Sequence, residues 1–259
     1  MSQPRTQEPE VAPIVWHDIE CGAYRADLPH WRELAARVAP PGKPCEVLDL
    51  GSGTGRVALD LASHGHRVTG LDSDRQLAEE LRRRATARNL TAGAVVADAR
   101  TFDLGRQFDL VLAAMQFLQL LEDRAERIRT LEHVRDHVRP SGAFAAALLD
   151  LSGEPTDGEY LPPPPDMRES EGWVWSSQAI EVRLLDNGGA LALDRHRRAV
   201  SPAGEIAESD NSVRLTMLSC EELEDEMEEA GIAPTGRKAI PPTEDHVGSV
   251  VVFGRVRHG

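Results

Sequence analysis

Apolar and polar positions follow two rhythms along this chain. Up to about residue 150, short apolar runs alternate with stretches of helical spacing; beyond it, apolar residues alternate singly, as in strands. Val47 to Leu50 predicts a first strand, and Gly55 to Ser63 predicts a helix with Val57, Ala58 and Leu61 on one face and Gly65 beyond its end. Arg67 to Leu71 predicts a second strand. Ser73 with Gln76 forms an expected capping box for a helix carrying Leu77, Leu81 and Ala85, with Glu79–Arg83 and Glu80–Arg84 as pairs one turn apart. Ala94 to Ala97 and Phe108 to Ala114 predict two more strands. Arg124 to Arg139 predicts a long helix stopped by Pro140-Ser141-Gly142, and Ala143 to Leu149 a fifth strand. Strands alternating with helices build a doubly wound, mostly parallel sheet covered on both faces, an α/β fold.

The flanks differ. Met1 to about Pro13 reads as a polar, mobile tail, and Leu28-Pro29 as a helix start with Asp27 as the expected cap and Trp31, Leu34, Ala35 and Val38 at helical spacing. Leu161-Pro162-Pro163-Pro164-Pro165 predicts a stiff connector. Trp173 to Ser176, Ile180 to Leu184 and Leu191 to Val200 follow as antiparallel strands, separated by the turn signals Asp186-Asn187-Gly188-Gly189 and Ser201-Pro202-Ala203-Gly204. Val213 to Leu218 predicts a further strand. Ser219 with Glu222 forms a second capping box, opening a helix that ends at Gly231; Arg237 to Ile240 and Ser249 to Val256 predict closing strands around a loop from Pro241 to Val247. The organisation expected is an N-terminal tail and helical cover over 1–41, a core over 42–154 and 216–259, and a small antiparallel insertion over 155–215.

Composition narrows the partners. Against 43 acidic side chains stand 29 Lys and Arg, a net charge of −14 that repels phosphate backbones and anionic lipid, so neither nucleic acid nor a membrane surface is expected as a partner. Aromatic residues are 4%, too few to suggest a base-stacking surface. Cys21, Cys45 and Cys220 lie far apart with no CxxC spacing, which predicts free thiols in a reducing cytosol and no metal site. The polar start carries no secretory signal pattern, and Gly142 to Leu149 is too short to span a bilayer, so a cytoplasmic location is expected.

The chemistry concentrates in Asp49-Leu50-Gly51-Ser52-Gly53-Thr54-Gly55. A glycine-rich turn leaving a strand for a helix lets a ligand approach the backbone at a helix N-terminus. The dinucleotide fingerprint requires a small residue where Arg56 stands, so that reading is weakened. Asp72 ends the second strand, where a carboxylate can accept both hydroxyls of a ribose.

In these residues the chain resembles the class I S-adenosylmethionine-dependent methyltransferases, with a Rossmann-like sheet whose final strand is antiparallel. The resemblance covers about residues 45 to 150. It implies S-adenosyl-L-methionine as cofactor, held by Asp49, Gly51, Ser52, Gly53, Thr54, Gly55, Asp72, Ser73, Asp98, Ala99 and Met115, with Asp98 beside the adenine. Asp49 either orients the glycine turn or lies near the amino end of the cofactor. Tyr24, in a segment similar to the N-terminal cover of these enzymes, is expected at the methionine end.

An Asp/Asn-Pro-Pro-aromatic loop, found in methyltransferases of nucleic-acid bases, is replaced here by Ala113-Ala114-Met115-Gln116, and no nucleophilic Cys follows the fourth or fifth strand. A small-molecule acceptor with a nitrogen or oxygen nucleophile remains. The insertion resembles the sheet lid of small-molecule N-methyltransferases, which makes Trp173, Trp175 and Arg197 candidate substrate walls; a dimer contact is the other use of such a sheet, so monomer and homodimer both stay open. His246, in the Glu244-Asp245-His246 loop, is the first candidate base because imidazole titrates near neutrality, and Glu20 is a weaker one. An NAD-type oxidoreductase and a non-catalytic cofactor-binding module are the alternatives.

Overall fold

The computed structural model describes residues 8–149, 163–243 and 246–256. In chain order the elements are α1 (Ala12–Cys21), α2 (Leu28–Val38), β1 (Glu46–Leu50), α3 (Arg56–Ser63), β2 (Arg67–Asp72), α4 (Arg75–Ala87), β3 (Ala92–Val96) and β4 (Phe108–Ala113). They continue with α5 (Arg124–His137), β5 (Val138–Leu149), β6 (Asp166–Ser170), β7 (Trp173–Leu185), β8 (Ala190–Val200), β9 (Ile206–Thr216), α6 (Cys220–Glu229), β10 (Ile232–Ile240) and β11 (Ser249–Val256). A short 3-10 helix, Phe117–Leu120, follows β4. The chain divides into two compact units, one of residues 25–153 and 218–259, the other of 1–24 and 154–217.

The larger unit is a seven-stranded sheet in the order β10-β11-β5-β4-β1-β2-β3. β1 pairs in parallel with β2 and β4, and β11 runs antiparallel to β5. Strand alternation sorts side chains to two faces. Val47, Val68, Leu110 and Leu112 pack with Trp31 and Leu34 of α2, Val57 and Leu61 of α3 and Leu81 of α4. Leu48, Leu50, Val111 and Phe144 pack on the other side with Leu131 and Val134 of α5 and Leu223 and Met227 of α6. This is the Rossmann-like, mostly parallel α/β sheet that the sequence predicts.

The smaller unit is a four-stranded antiparallel sheet, β6-β7-β8-β9. Helix α1 lays Ala12, Val15, Trp16 and Ile19 against Trp175 and Ala199. Trp16 meets Trp175 edge-on at 4.9 Å, a favoured aromatic geometry.

Several local expectations are revised. The N-cap of α4 is Asp74, not Ser73: its carboxylate accepts from the N–H groups of Gln76 and Leu77 at 2.8 and 3.2 Å. Glu80 takes both Arg83 and Arg84, while Glu79 faces Arg75. Asp27 makes no side-chain cap to α2. Helix α5 stops at His137 and β5 already begins at Val138, so Pro140-Ser141-Gly142 lies inside a strand whose pairing with β4 is irregular there. The two expected strands after Trp173 are one strand, β7, with a bulge between Ala179 and Glu181. Strand β6 carries no alternation and escapes the sequence pattern. Residues 25–41 belong with the core rather than with the N-terminal helix α1. The capping box of Ser219 and Glu222 is present in full. Cys45 is buried, Cys21 and Cys220 are half-buried, and none of the three is in a disulfide. Leu161-Pro162 and Glu244-Asp245 lie outside the described residues.

Candidate functional site

The glycine turn between β1 and α3 sits at the C-terminal edge of the parallel strands, where ligands bind in sheets of this kind. Gly51, Gly53 and Gly55 have φ of +63°, +51° and +96°, the left-handed region that side chains resist. Gly51 is exposed, while Ser52 to Gly55 are buried. The turn is braced from β2: the Ser52 N–H donates to the Leu71 carbonyl at 3.1 Å, and the Gly53 N–H donates to Asp72 Oδ2 at 2.7 Å. Asp72 Oδ1 accepts from the Asp74 N–H at 2.9 Å. Asp72 therefore shapes the turn and the entry to α4, yet remains half-exposed with acceptor capacity to spare. Ser52 Oγ is buried without a hydrogen-bond partner, pressed against the bare backbone of Gly70. Ser73 is exposed beside Asp72.

Asp49 is buried, and alternation along β1 points it with Val47 to the α2–α3 face. Burial pushes its carboxyl up to about 7; Arg56 and the Ala58 N–H pull the other way. The Arg56 guanidinium is itself held by Asp27 through bonds of 2.5 and 2.7 Å. Arg56 thus fills the position that a dinucleotide fold keeps small, and its charge is spent on a carboxylate rather than offered to a phosphate.

Asp98 follows β3 on the same edge, next to Asp72 because β2 and β3 pair. Its carboxylate is gripped by Arg100 and lies low, at about 2, chiefly through the Arg100 side chain and backbone bonds. Ala99 is buried against Leu71 and Phe102. After β4, Met115 and Gln116 are both left-handed, with φ of +47° and +57°. Left-handed non-glycine residues cost about 1–2 kcal/mol each, and such strain concentrates at functional sites. The kink delivers Phe117 to the glycine turn: a Cβ on Gly51 would collide with the Phe117 ring at Cδ2.

His246 lies in the turn between β10 and β11, where the Thr243 N–H donates to the His246 carbonyl at 2.8 Å and the His246 N–H donates to Thr243 Oγ1 at 3.1 Å. Ser249 pairs with Leu149, so this turn shares the C-terminal edge with Gly51. Three strand spacings separate β11 from β1, about 14 Å.

The remaining candidates are in the smaller unit. Tyr24 and Trp175 are buried, and Trp173 stacks obliquely on Trp175 at 5.6 Å. Glu20 accepts two bonds from Arg197, at 2.7 and 2.6 Å, and one from Ser177 Oγ at 2.8 Å. Arg197 also lies over the Trp16 ring at 5.4 Å. Glu20, Trp175 and Arg197 are joined to α1 and its sheet as packing and ion-pair partners. Among the described residues no group of three or more His, Cys, Asp or Glu is placed to hold a metal ion. No described helix is long and apolar enough to cross a membrane.

Sequence reading missed Phe117, Arg100 and the Asp27–Arg56 pair. The Arg56–Asp27 and Arg100–Glu126 contacts lack a local signature, because the partners are 29 and 26 residues apart, whereas the bond from Arg100 to Asp98 spans only two residues.

Comparison with known proteins adds the following. Residues 47–142 match a family described as a methyltransferase domain. The cypemycin N-terminal methyltransferase of a Streptomyces species is 33% identical over 106 residues, covering 41% of each chain. A protein named probable S-adenosyl-L-methionine-dependent methyltransferase TehB, from Haemophilus influenzae, is 26% identical over 157 residues, covering 54% of each. The chain thus spans about half the length of the curated relatives it matches. Among solved structures, the sugar N-methyltransferase KedS8 of a Streptoalloteichus species superposes with a TM-score of 0.75 at 21% identity, covering 100% of this chain and 97% of that one. At that identity the likeness concerns the fold.

Proposed function

We propose that this chain, whose core is a methyltransferase domain of the class I S-adenosylmethionine-dependent kind, transfers a methyl group to a small-molecule acceptor. The observation that carries this reading is the glycine turn: three left-handed glycines between β1 and α3, with Asp72 bonded to the Gly53 N–H. The site suits an adenosyl cofactor by its chemistry. Two neighbouring carboxylates, Asp72 and Asp98, stand at the ends of adjacent strands, and both are acceptors. Ribose hydroxyls and an adenine amino group are donors, so the complement is right. A pyrophosphate is poorly matched, because the Asp72 carboxylate stands at the turn and Arg56, the cation beside it, is already taken by Asp27. This disfavours the NAD-type alternative.

S-adenosylmethionine supplies, when bound, an electrophilic methyl group on a sulfonium. The residues of the chain have simpler tasks. Gly51, Gly53 and Gly55 present backbone where side chains would block approach. Asp72 and Asp98 fix the nucleoside end, and Asp49 supports the turn from beneath. Phe117 shields the turn on the β4 side. Alignment alone accounts for much of the rate in such a displacement. His246, in the turn on this edge, is the candidate to take up a proton from the acceptor through an imidazole nitrogen. The acceptor is a small molecule bearing a nitrogen or oxygen nucleophile, a class supported by the fold likeness to a sugar N-methyltransferase.

Thermal unfolding with added ligand tests this. At a hundredfold excess over its Kd, S-adenosylhomocysteine adds about 2.7 kcal/mol of stability and raises Tm by about 5 °C or more; NAD leaves it unchanged. Stabilisation by NAD alone overturns the proposal. Transfer of label from methyl-labelled cofactor to a panel of amino sugars and small amines then tests the acceptor class.

A further inference from the structure

Arg100 holds Asp98 from several directions. The Arg100 backbone N–H donates to Asp98 Oδ1 at 2.8 Å, Nε lies 2.9 Å from Oδ1 and 3.1 Å from Oδ2, and Nη2 donates to Oδ2 at 2.6 Å. The remaining arm of the guanidinium is also occupied, with Nη1 donating to Glu126 Oε1 at 2.5 Å. Glu126 is in turn set by the first turn of α5: its Oε2 accepts from the Glu122 N–H at 3.0 Å, and its own N–H donates to Asp123 Oδ1 at 2.8 Å. The chain Asp98–Arg100–Glu126 spans the edge from β3 to α5 and leaves Asp98 one fixed orientation.

A carboxylate offers about four acceptor positions. Oδ1 uses two on Arg100, and Oδ2 uses one and shares part of another, so one acceptor direction on Oδ2 stays open. The Asp98 side chain is 40% exposed, which leaves that direction accessible.

We propose that Arg100, positioned by Glu126, determines which nucleobase this site accepts, by holding Asp98 as a fixed acceptor that takes a base with an exocyclic amino group and rejects one with an oxo group. The inference deepens the cofactor reading above and rests on it. Asp98, like any carboxylate of ordinary acidity, is ionised at neutral pH and can only accept; what Arg100 adds is the fixed direction of that acceptor. An amino group meets an acceptor; an oxo oxygen meets a second acceptor and leaves both unpaired. Sites built around one hydrogen bond discriminate strongly against the analogue that cannot make it. Arg100 acts through Asp98 and is therefore a positioning residue. Both partners are well exposed, so the pair adds little to stability and its removal leaves a folded protein.

Calorimetry with S-adenosylhomocysteine and its 6-oxo counterpart, S-inosylhomocysteine, tests the assignment. The wild-type protein is expected to prefer the amino form by about tenfold or more. Arg100→Ala is expected to reduce that ratio to about threefold or less, through weaker binding of the amino form, and Glu126→Gln to give an intermediate ratio, with Tm shifted by no more than about 2 °C. An unchanged ratio in Arg100→Ala, alongside a collapsed ratio in Asp98→Ala, overturns the role of Arg100 while leaving the cofactor reading intact. Binding of neither thioether by the wild-type protein overturns both.

Discussion

Arg56 and Asp27 form a buried two-bond ion pair that ties the exit of the glycine turn to the start of α2. The contacts are 2.5 and 2.7 Å, and Asp27 Oδ2 also accepts from Trp31 Nε1 at 2.8 Å. With side-chain exposures of 9% and 2%, neither charge has water to fall back on. Breaking one side of such a pair costs about 3–5 kcal/mol, because the other charge is left buried alone. Asp27→Ala is therefore expected to lower the unfolding free energy by that amount in urea titrations. The double variant Asp27→Leu with Arg56→Met is expected to lose less than the sum of the single variants.

Asp49 gives the protein a pH dependence of defined sign. Its carboxyl titrates near 7 in the fold against 3.8 as the ordinary value. Between about pH 4 and pH 7 the folded chain holds a proton that the unfolded chain has released, so stability falls as pH rises through this window and stays lower above it. The full effect is at most about 4 kcal/mol, from about three pH units at 1.36 kcal/mol each. Asp49→Asn removes the titration. Its Tm is expected to exceed the wild-type value at pH 8 by more than at pH 5. Parallel Tm curves for the two proteins would rule out the buried-carboxyl account.

What sequence discloses here is what neighbouring residues decide. The glycine turn is legible because left-handed φ selects glycine at Gly51, Gly53 and Gly55, and the box of Ser219 and Glu222 because its two bonds lie within four residues. Ser73 misleads because Asp74, one residue on, is a competing cap with the same chemistry. Pro140-Ser141-Gly142 reads as a stop, yet β5 runs through it, with Pro140 and Ser141 exposed and Gly142 buried. Arg100 and Arg56 were visible as residues, but their roles depend on Glu126 and Asp27, which only the folded chain brings close. Trp175 and Arg197 show the same limit: an aromatic and a cation at these positions do not announce the packing and ion pair they make with α1, which only the fold brings together.

The Glu20–Arg197 pair carries its own expectation. Glu20 accepts three bonds, two from Arg197 and one from Ser177, and Trp16 covers the guanidinium. Both side chains are mostly buried. Arg197→Ala leaves the Glu20 charge with one hydroxyl partner and is expected to cost about 2–3 kcal/mol. Arg197→Lys restores the charge but not the planar fork, so it is expected to recover only part of the loss in urea unfolding. Full recovery by Lys would mean that charge alone, without the two-bond geometry, holds α1 on the sheet.

Gly51 and Phe117 make the sharpest test of the turn as the ligand contact. Gly51 sits at φ +63°, and a Cβ there would strike the Phe117 ring. Gly51→Ala pays twice: about 1–2 kcal/mol for the left-handed backbone, and a further cost for moving the ring. Both distort the segment that meets the cofactor, so affinity for S-adenosylhomocysteine is expected to fall by about tenfold or more. Adding Phe117→Ala removes the collision and leaves the backbone strain. The double variant is therefore expected to bind better than Gly51→Ala and worse than the wild type. If Gly51→Ala binds like the wild type in calorimetry, the ligand does not approach the chain at this turn.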